Sequence, residues 1–141
     1  MHNAQVGNVD FQKASSFEID GLDGAQVYCK VAGDGSFYVD AFIKGKGAQI
    51  SVEIPSITEE ATKTNPVTGT VRYLSSTTVK AYTSPSSDPC KFFLINDKQQ
   101  INQGSLFISF QCPSLDNGET SPPSECATGE GRLALQNCDQ E

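Results

Sequence analysis

Along much of the chain apolar and polar residues alternate one for one, the period of a strand with one buried and one solvated face. Residues 25–31 show it best: Ala25, Val27, Cys29 and Val31 fall on one side, Gln26, Tyr28 and Lys30 on the other. After Ala32-Gly33-Asp34-Gly35-Ser36 the pattern resumes in Phe37-Tyr38-Val39-Asp40-Ala41-Phe42-Ile43, and the two runs predict a hairpin. Pairing Val31 with Phe37 sets Cys29 against Val39 and Val27 against Ala41 on the core face. Outside, Lys30 then lies beside Tyr38 and Tyr28 beside Asp40. A slip by one residue would bury Lys30 and Asp40, so the sidedness is strongly specified.

Phe17 and Ile19 alternate with Glu18 and Asp20 and predict a first strand, whereas residues 1–15 are polar and aperiodic and read as a flexible leader. Ala48-Gln49-Ile50-Ser51-Val52-Glu53-Ile54 forms a further strand that Pro55 should end. Residues 67–74 and 77–82 continue as strands, with Arg72, Lys80 and Tyr82 outward. The densest apolar runs are residues 91–95 and 106–112, which can pair with Phe92 opposite Phe110 and Leu94 opposite Ile108. Phe92, Phe93, Phe107 and Phe110 point to both faces there, which predicts a pair buried at least partly on both sides. Residues 96–105 would be its tip. Residues 113–131, with three Pro, three Gly and four acidic side chains, read as one long irregular loop.

At 141 residues, 37% hydrophobic, with 12 Gly and 7 Pro, the chain suits one all-β domain of short strands and many turns, residues 16–141. The formal charge of −7 contains no Lys/Arg cluster, which disfavours phosphate backbones and anionic membrane surfaces and excludes nucleic acid as a partner. There is no apolar run long enough for a transmembrane helix.

Four of the five cysteines lie in the last 52 residues, which predicts disulfides and an oxidising compartment. The preferred pairing is Cys112–Cys126, bracketing the long loop, with Cys90–Cys138 tying back the last strand. The rival is Cys90–Cys112 with Cys126–Cys138. Cys29, among Ala25, Val27 and Val31, reads as a buried free thiol, since an unpaired Cys behaves as a small apolar residue. Zinc would need close Cys pairs with further ligands, and the only imidazole is His2. An exported precursor would have carried a signal peptide, and a lipidated Cys upstream is compatible with that origin.

Candidate chemistry is sparse. With His2 as the only imidazole there is no material for a Ser-His-Asp or Cys-His constellation, and no phosphate-loop, dinucleotide or zinc-protease motif occurs. Glu59-Glu60 is the only adjacent carboxylate pair, and neighbours in a loop do not straddle a substrate. Asp20-Gly21-Leu22-Asp23-Gly24, Asp34-Gly35 and Asp116-Asn117-Gly118-Glu119 offer oxygen ligands, but they are also ordinary turn sequences. No catalytic residue, cofactor or metal is therefore assigned. The outward tyrosines Tyr28, Tyr38 and Tyr82 are the candidate binding face.

The run Gly104-Ser105-Leu106-Phe107-Ile108-Ser109-Phe110-Gln111-Cys112-Pro113, then a variable loop, Cys126 and a closing strand ending Asn137-Cys138, resembles the C-terminal half of small secreted β-sandwich lipoproteins of deltaproteobacteria. The resemblance implies an outer-membrane or extracellular protein and supplies no site residues. The expectation is thus an antiparallel β-sandwich, jelly-roll or immunoglobulin-like, of about 7–9 strands and stapled by disulfides. Its expected role is a non-catalytic secreted or cell-surface binding or adhesion module, extracellular or periplasmic. It would engage protein or carbohydrate and touch membrane only through a lost lipid anchor. The alternative is a subunit of an extracellular fibre, with the leader as donor strand and the fifth cysteine as crosslink.

Overall fold

The computed structural model describes residues 2–8, 16–45, 47–75, 81–95, 98–120, 123–126 and 131–141. Among them are thirteen strands: β1 Asn3–Asn8, β2 Ser16–Ile19, β3 Gln26–Asp34, β4 Ser36–Gly45, β5 Ala48–Ile57, β6 Val67–Ser75, β7 Tyr82–Thr83, β8 Cys90–Phe93, β9 Gln100–Asn102, β10 Ser105–Gln111, β11 Leu115–Thr120, β12 Pro123–Cys126 and β13 Gly131–Gln136. The count exceeds the expected seven to nine because β1, β9, β11 and β12, three to six residues long, lie in segments that read as leader or loop.

All strand pairs are antiparallel. A front sheet holds β3, β4, β5, β6, β7, β11 and β12, and a back sheet holds β8, β9, β10, β13, β1 and β2. Strand β6 belongs to both: Thr70–Ser75 pair with β5, while Val67, Thr68 and Gly69 pair with β8. The corner falls at Gly69, where a Cβ would collide with the Glu53 carbonyl oxygen and the Phe92 ring. Only glycine lets the strand pass that close to its neighbours.

The two sheets enclose one core. Val27, Val31, Val39, Ala41, Ile43, Val52 and Ile54 come from the front, and Phe92, Leu106, Ile108, Leu133 and Leu135 from the back. Because the sheets share β6, and β1 and β2 lie against β3 at the other end of the path, the architecture approaches a closed barrel. Phe92 stands opposite Phe110 as the apolar pattern predicts, with ring centroids 6.3 Å apart. Phe93 is buried on the other face, so this pair is covered on both sides.

Four expectations change. In the β3–β4 hairpin Val31 faces Val39, Cys29 faces Ala41 and Val27 faces Ile43, two residues from the expected register. The turn is tighter than the sequence suggests: Asp34 pairs with Ser36 around Gly35, and Gly33 and Gly35 both take positive φ. An even shift keeps every side chain on its predicted face but changes partners, so Lys30 meets Asp40 and Tyr28 meets Phe42. Strand β5 runs through Pro55 to Ile57, with the register shift of a bulge between Ile54 and Ile57 that accommodates the missing N–H.

Residues 113–131 are not one irregular loop, for β11 and β12 pair within them. Pro123 is the first residue of β12, at the end of the sheet path, a position where strands accept proline. Finally, the leader expectation fails for its first half: Asn3–Asn8 is paired with β13 on one side and β2 on the other. Residues 9–15 lie outside the described residues, as do residues 76–80, which include most of the strand expected at 77–82 and Lys80.

Candidate functional site

Two strands of the front sheet present two of the predicted tyrosines to solvent. Tyr28 on β3 is 39% exposed and Tyr38 on β4 is 37% exposed. Between and beside them the register lays out a charged row, Lys30–Asp40–Glu53–Thr70, and a second row, Tyr28–Phe42–Ser51–Arg72. Asp40 and Glu53 are directly opposite each other, a like-charge arrangement that costs stability on a sheet. Neither carboxylate has a cation within ion-pair distance among the described residues. Asp40, Ser51, Glu53, Thr70 and Arg72 border a shallow hollow of about 230 Å³.

Both phenols hold their protons to higher pH than a free tyrosine. Partial desolvation against the sheet is the main cause, and Asp40 adds to it at both rings. Glu53 contributes further at Tyr38. The face thus combines two exposed rings with two facing carboxylates, flanked by Lys30 and Arg72 but with no cation at ion-pair distance among the described residues, and both rings and carboxylates favour a cationic group.

Tyr82 does not belong to this face. It pairs with Tyr73, two residues beyond the buried Val71, and packs against the core. The expectation that it points outward with Arg72 fails, since Thr83 and not Tyr82 stands opposite Arg72. Tyr73, with Val6, Ile43 and Ile50, instead borders a small apolar hollow of about 200 Å³ at the end of the core.

The cysteines pair as Cys29–Cys138 and Cys90–Cys112, with Cα–Cα distances of 4.8 and 4.2 Å. The first corrects two expectations at once: Cys29 is no free thiol, and Cys138 bonds to neither Cys90 nor Cys126. The second rules out Cys112–Cys126, because Cys90 and Cys112 face each other at the end of the β8–β10 ladder. The side chain of Cys126 lies outside the described residues. Two disulfides belong to an oxidising, non-cytoplasmic environment.

A cluster that sequence reasoning missed surrounds Cys29. Strand β3 is the end of the front sheet, and its outward N–H groups at 27, 29 and 31 meet three different acceptors. Val27 N–H donates to Asp20 Oδ1 at 3.0 Å, Cys29 N–H to His2 Nδ1 at 3.0 Å and Val31 N–H to the Asp139 carbonyl at 2.9 Å. Because Nδ1 accepts, the neutral ring carries its proton on Nε2, which sits 3.1 Å from Asp139 Oδ1. The His2 ring also lies 5.7 Å from that of Tyr28. An edge strand left open is a template for unwanted pairing, and here both chain termini cover it. The sequence signal was slight: one histidine in a polar terminus.

Asp20 serves this edge, and Asp34-Gly35 serves the β3–β4 turn. Glu59 and Glu60 are exposed in the turn after β5. No group of three or more potential metal ligands occurs among the described residues. No family model, curated protein or solved structure matches the chain.

Proposed function

We propose that this protein is a non-catalytic binding module of the cell surface or the secreted space, the ectodomain of a lipoprotein, which engages a protein partner through the outer face of β3–β6. In this reading the two sheets form a sandwich-type scaffold of jelly-roll or immunoglobulin-like kind. The observation that carries it is the clustering of exposed Tyr28 and Tyr38 with the facing carboxylates of Asp40 and Glu53, neither of which has a cation within ion-pair distance among the described residues. Such a face favours a partner that presents lysine or arginine. The compartment rests on the two disulfides and on the resemblance of residues 104–138 to deltaproteobacterial lipoproteins. The fibre-subunit reading loses its donor strand, since Asn3–Asn8 is engaged within the chain, and the cysteine outside both bridges is Cys126 and not Cys29.

Fluorescence polarisation with a panel of basic and acidic peptides tests the proposal. Basic peptides should bind selectively, and combining Tyr38→Ala with Asp40→Asn should weaken them about tenfold, the equivalent of 1.4 kcal/mol. Equal binding of basic and acidic peptides, or no change in the double variant, discards it.

A further inference from the structure

The outer face of the back sheet carries a second surface of different chemistry. Near β8 that face is closed over: Phe93, Gln99, Ser109 and Arg132 are all buried, and Gln99 exchanges hydrogen bonds with Ser109 at 2.8 and 3.2 Å. Further along, the cover ends and a hollow of about 320 Å³ opens, at the lower end of the range of small-molecule sites. The register explains the dent. One row across the sheet reads Gln100–Phe107–Ala134–Gln5, so the short side chain of Ala134 stands between longer neighbours. Gln136 and Ser105 close the hollow on one side.

Among the described residues no charged side chain lines it, in a chain of net charge −7. The side chains of Gln5, Gln100, Gln136 and Ser105 make no hydrogen bond among the described residues. Nearby Gln99 and Gln103 differ, since both spend their amides inside the fold, on Ser109 and on the Gly33 carbonyl. An amide both donates and accepts, which matches hydroxyl groups that do the same; a carboxylate or an ammonium offers only one role. Phe107, half-buried, and Ala134 supply an apolar floor suited to the C–H face of a sugar ring.

A peptide strand would need a free backbone edge, and the three strands under the hollow offer none: β10 lies between β13 and the β8/β9 pair, β13 between β10 and β1, and β1 between β13 and β2, which leaves only the three-residue β9 at the rim paired on one side. Recognition has to run through side-chain amides over a small apolar floor. We propose that this hollow is a binding site for an uncharged oligosaccharide, separate from the tyrosine face and independent of what that face binds.

Affinity electrophoresis tests it, because the net charge of −7 carries the whole protein into a native gel at neutral pH. The gels contain a soluble neutral glucan, a neutral mannan, a neutral galactan or, as the charged control, a polyuronate. At least one neutral polymer should retard the protein. Ala134→Tyr, which fills the dent with a residue that suits strands, should reduce the apparent affinity at least tenfold, and so should Gln5→Ala combined with Gln136→Ala, a pair that removes no internal hydrogen bond. Tyr38→Ala should leave the retardation unchanged. The proposal is overturned if no neutral polymer retards the protein, if only the polyuronate does, or if retardation survives both the filled and the amide-stripped variants while both run as folded protein.

Discussion

The two disulfides close loops of opposite kinds. Cys90–Cys112 joins neighbouring strands already held by a ladder, across 22 residues of sequence, whereas Cys29–Cys138 joins the end of the front sheet to the chain terminus across 109. The first reinforces a contact that strand pairing makes anyway. The second holds together a seam with no ladder beyond one bridge at Lys30–Asp139, where the edge of β3 makes scattered hydrogen bonds with Asp20, His2, Asp139, Gly104 and Gln103. The comparison separates staples that follow from local pairing from staples that decide how a sheet closes.

Removing each bridge as a pair of serines sharpens this contrast most. Cys29→Ser with Cys138→Ser should cost about 4.7 kcal/mol in urea unfolding, the chain-entropy value for a loop near 100 residues. Cys90→Ser with Cys112→Ser should cost about 3 kcal/mol. A reversed order would show that the β8–β10 pair depends on its bridge and the seam does not. Next in size is Gly69→Val at the corner of β6, with an expected loss of about 1–3 kcal/mol because β5 and Phe92 must move apart.

His2→Ala should cost about 1 kcal/mol by removing the acceptor of the Cys29 N–H. Hydrogen exchange locates the effect: the Cys29 amide should exchange faster while Phe92 and Phe110 stay protected. Equal acceleration in both places would mean that His2 supports the whole fold and not the seam alone.

The smallest effect concerns the tyrosine face. Tyr28 and Tyr38 have raised folded values, so the stability they contribute is fully present below the ordinary phenol value of about 10 and is lost as pH rises through the raised folded value. An ultraviolet titration should show both ionising late. Asp40→Asn should shift both downward only part of the way, since desolvation, the larger cause, remains. A full return to the ordinary value would assign the whole effect to Asp40.

Much of the fold was legible because strand sidedness repeats every two residues. Residues 25–31 and 37–43 were placed on the correct faces even though their register was two residues off, an error that leaves sidedness intact. The Phe92–Phe110 pairing was also legible, and extending it two residues puts Cys90 opposite Cys112, so that bridge followed from a register already in hand. Loop length misled instead, by making Cys112 and Cys126 look like a bracket. Of the candidate site, Tyr28 and Tyr38 were found by alternation, while Tyr82 was misplaced, for it stands opposite Tyr73 and leaves Thr83 beside Arg72.

The hollow over Ala134 and the cluster around His2 had no periodic signal. Each brings together residues far apart in sequence: Gln5 with Ala134 and Gln100, His2 with Cys29 and Asp139. By itself, then, the sequence determined an all-β chain, the inner and outer face of its clearest strands and the register of its most apolar pair, because those properties lie in short-range alternation. Only the tertiary structure decided that β1 joins the sheet, that Cys29 reaches Cys138 and which side chains meet on each outer face. Those outcomes depend on how two sheet ends meet in space, and alternation along one strand carries no information about its distant neighbour.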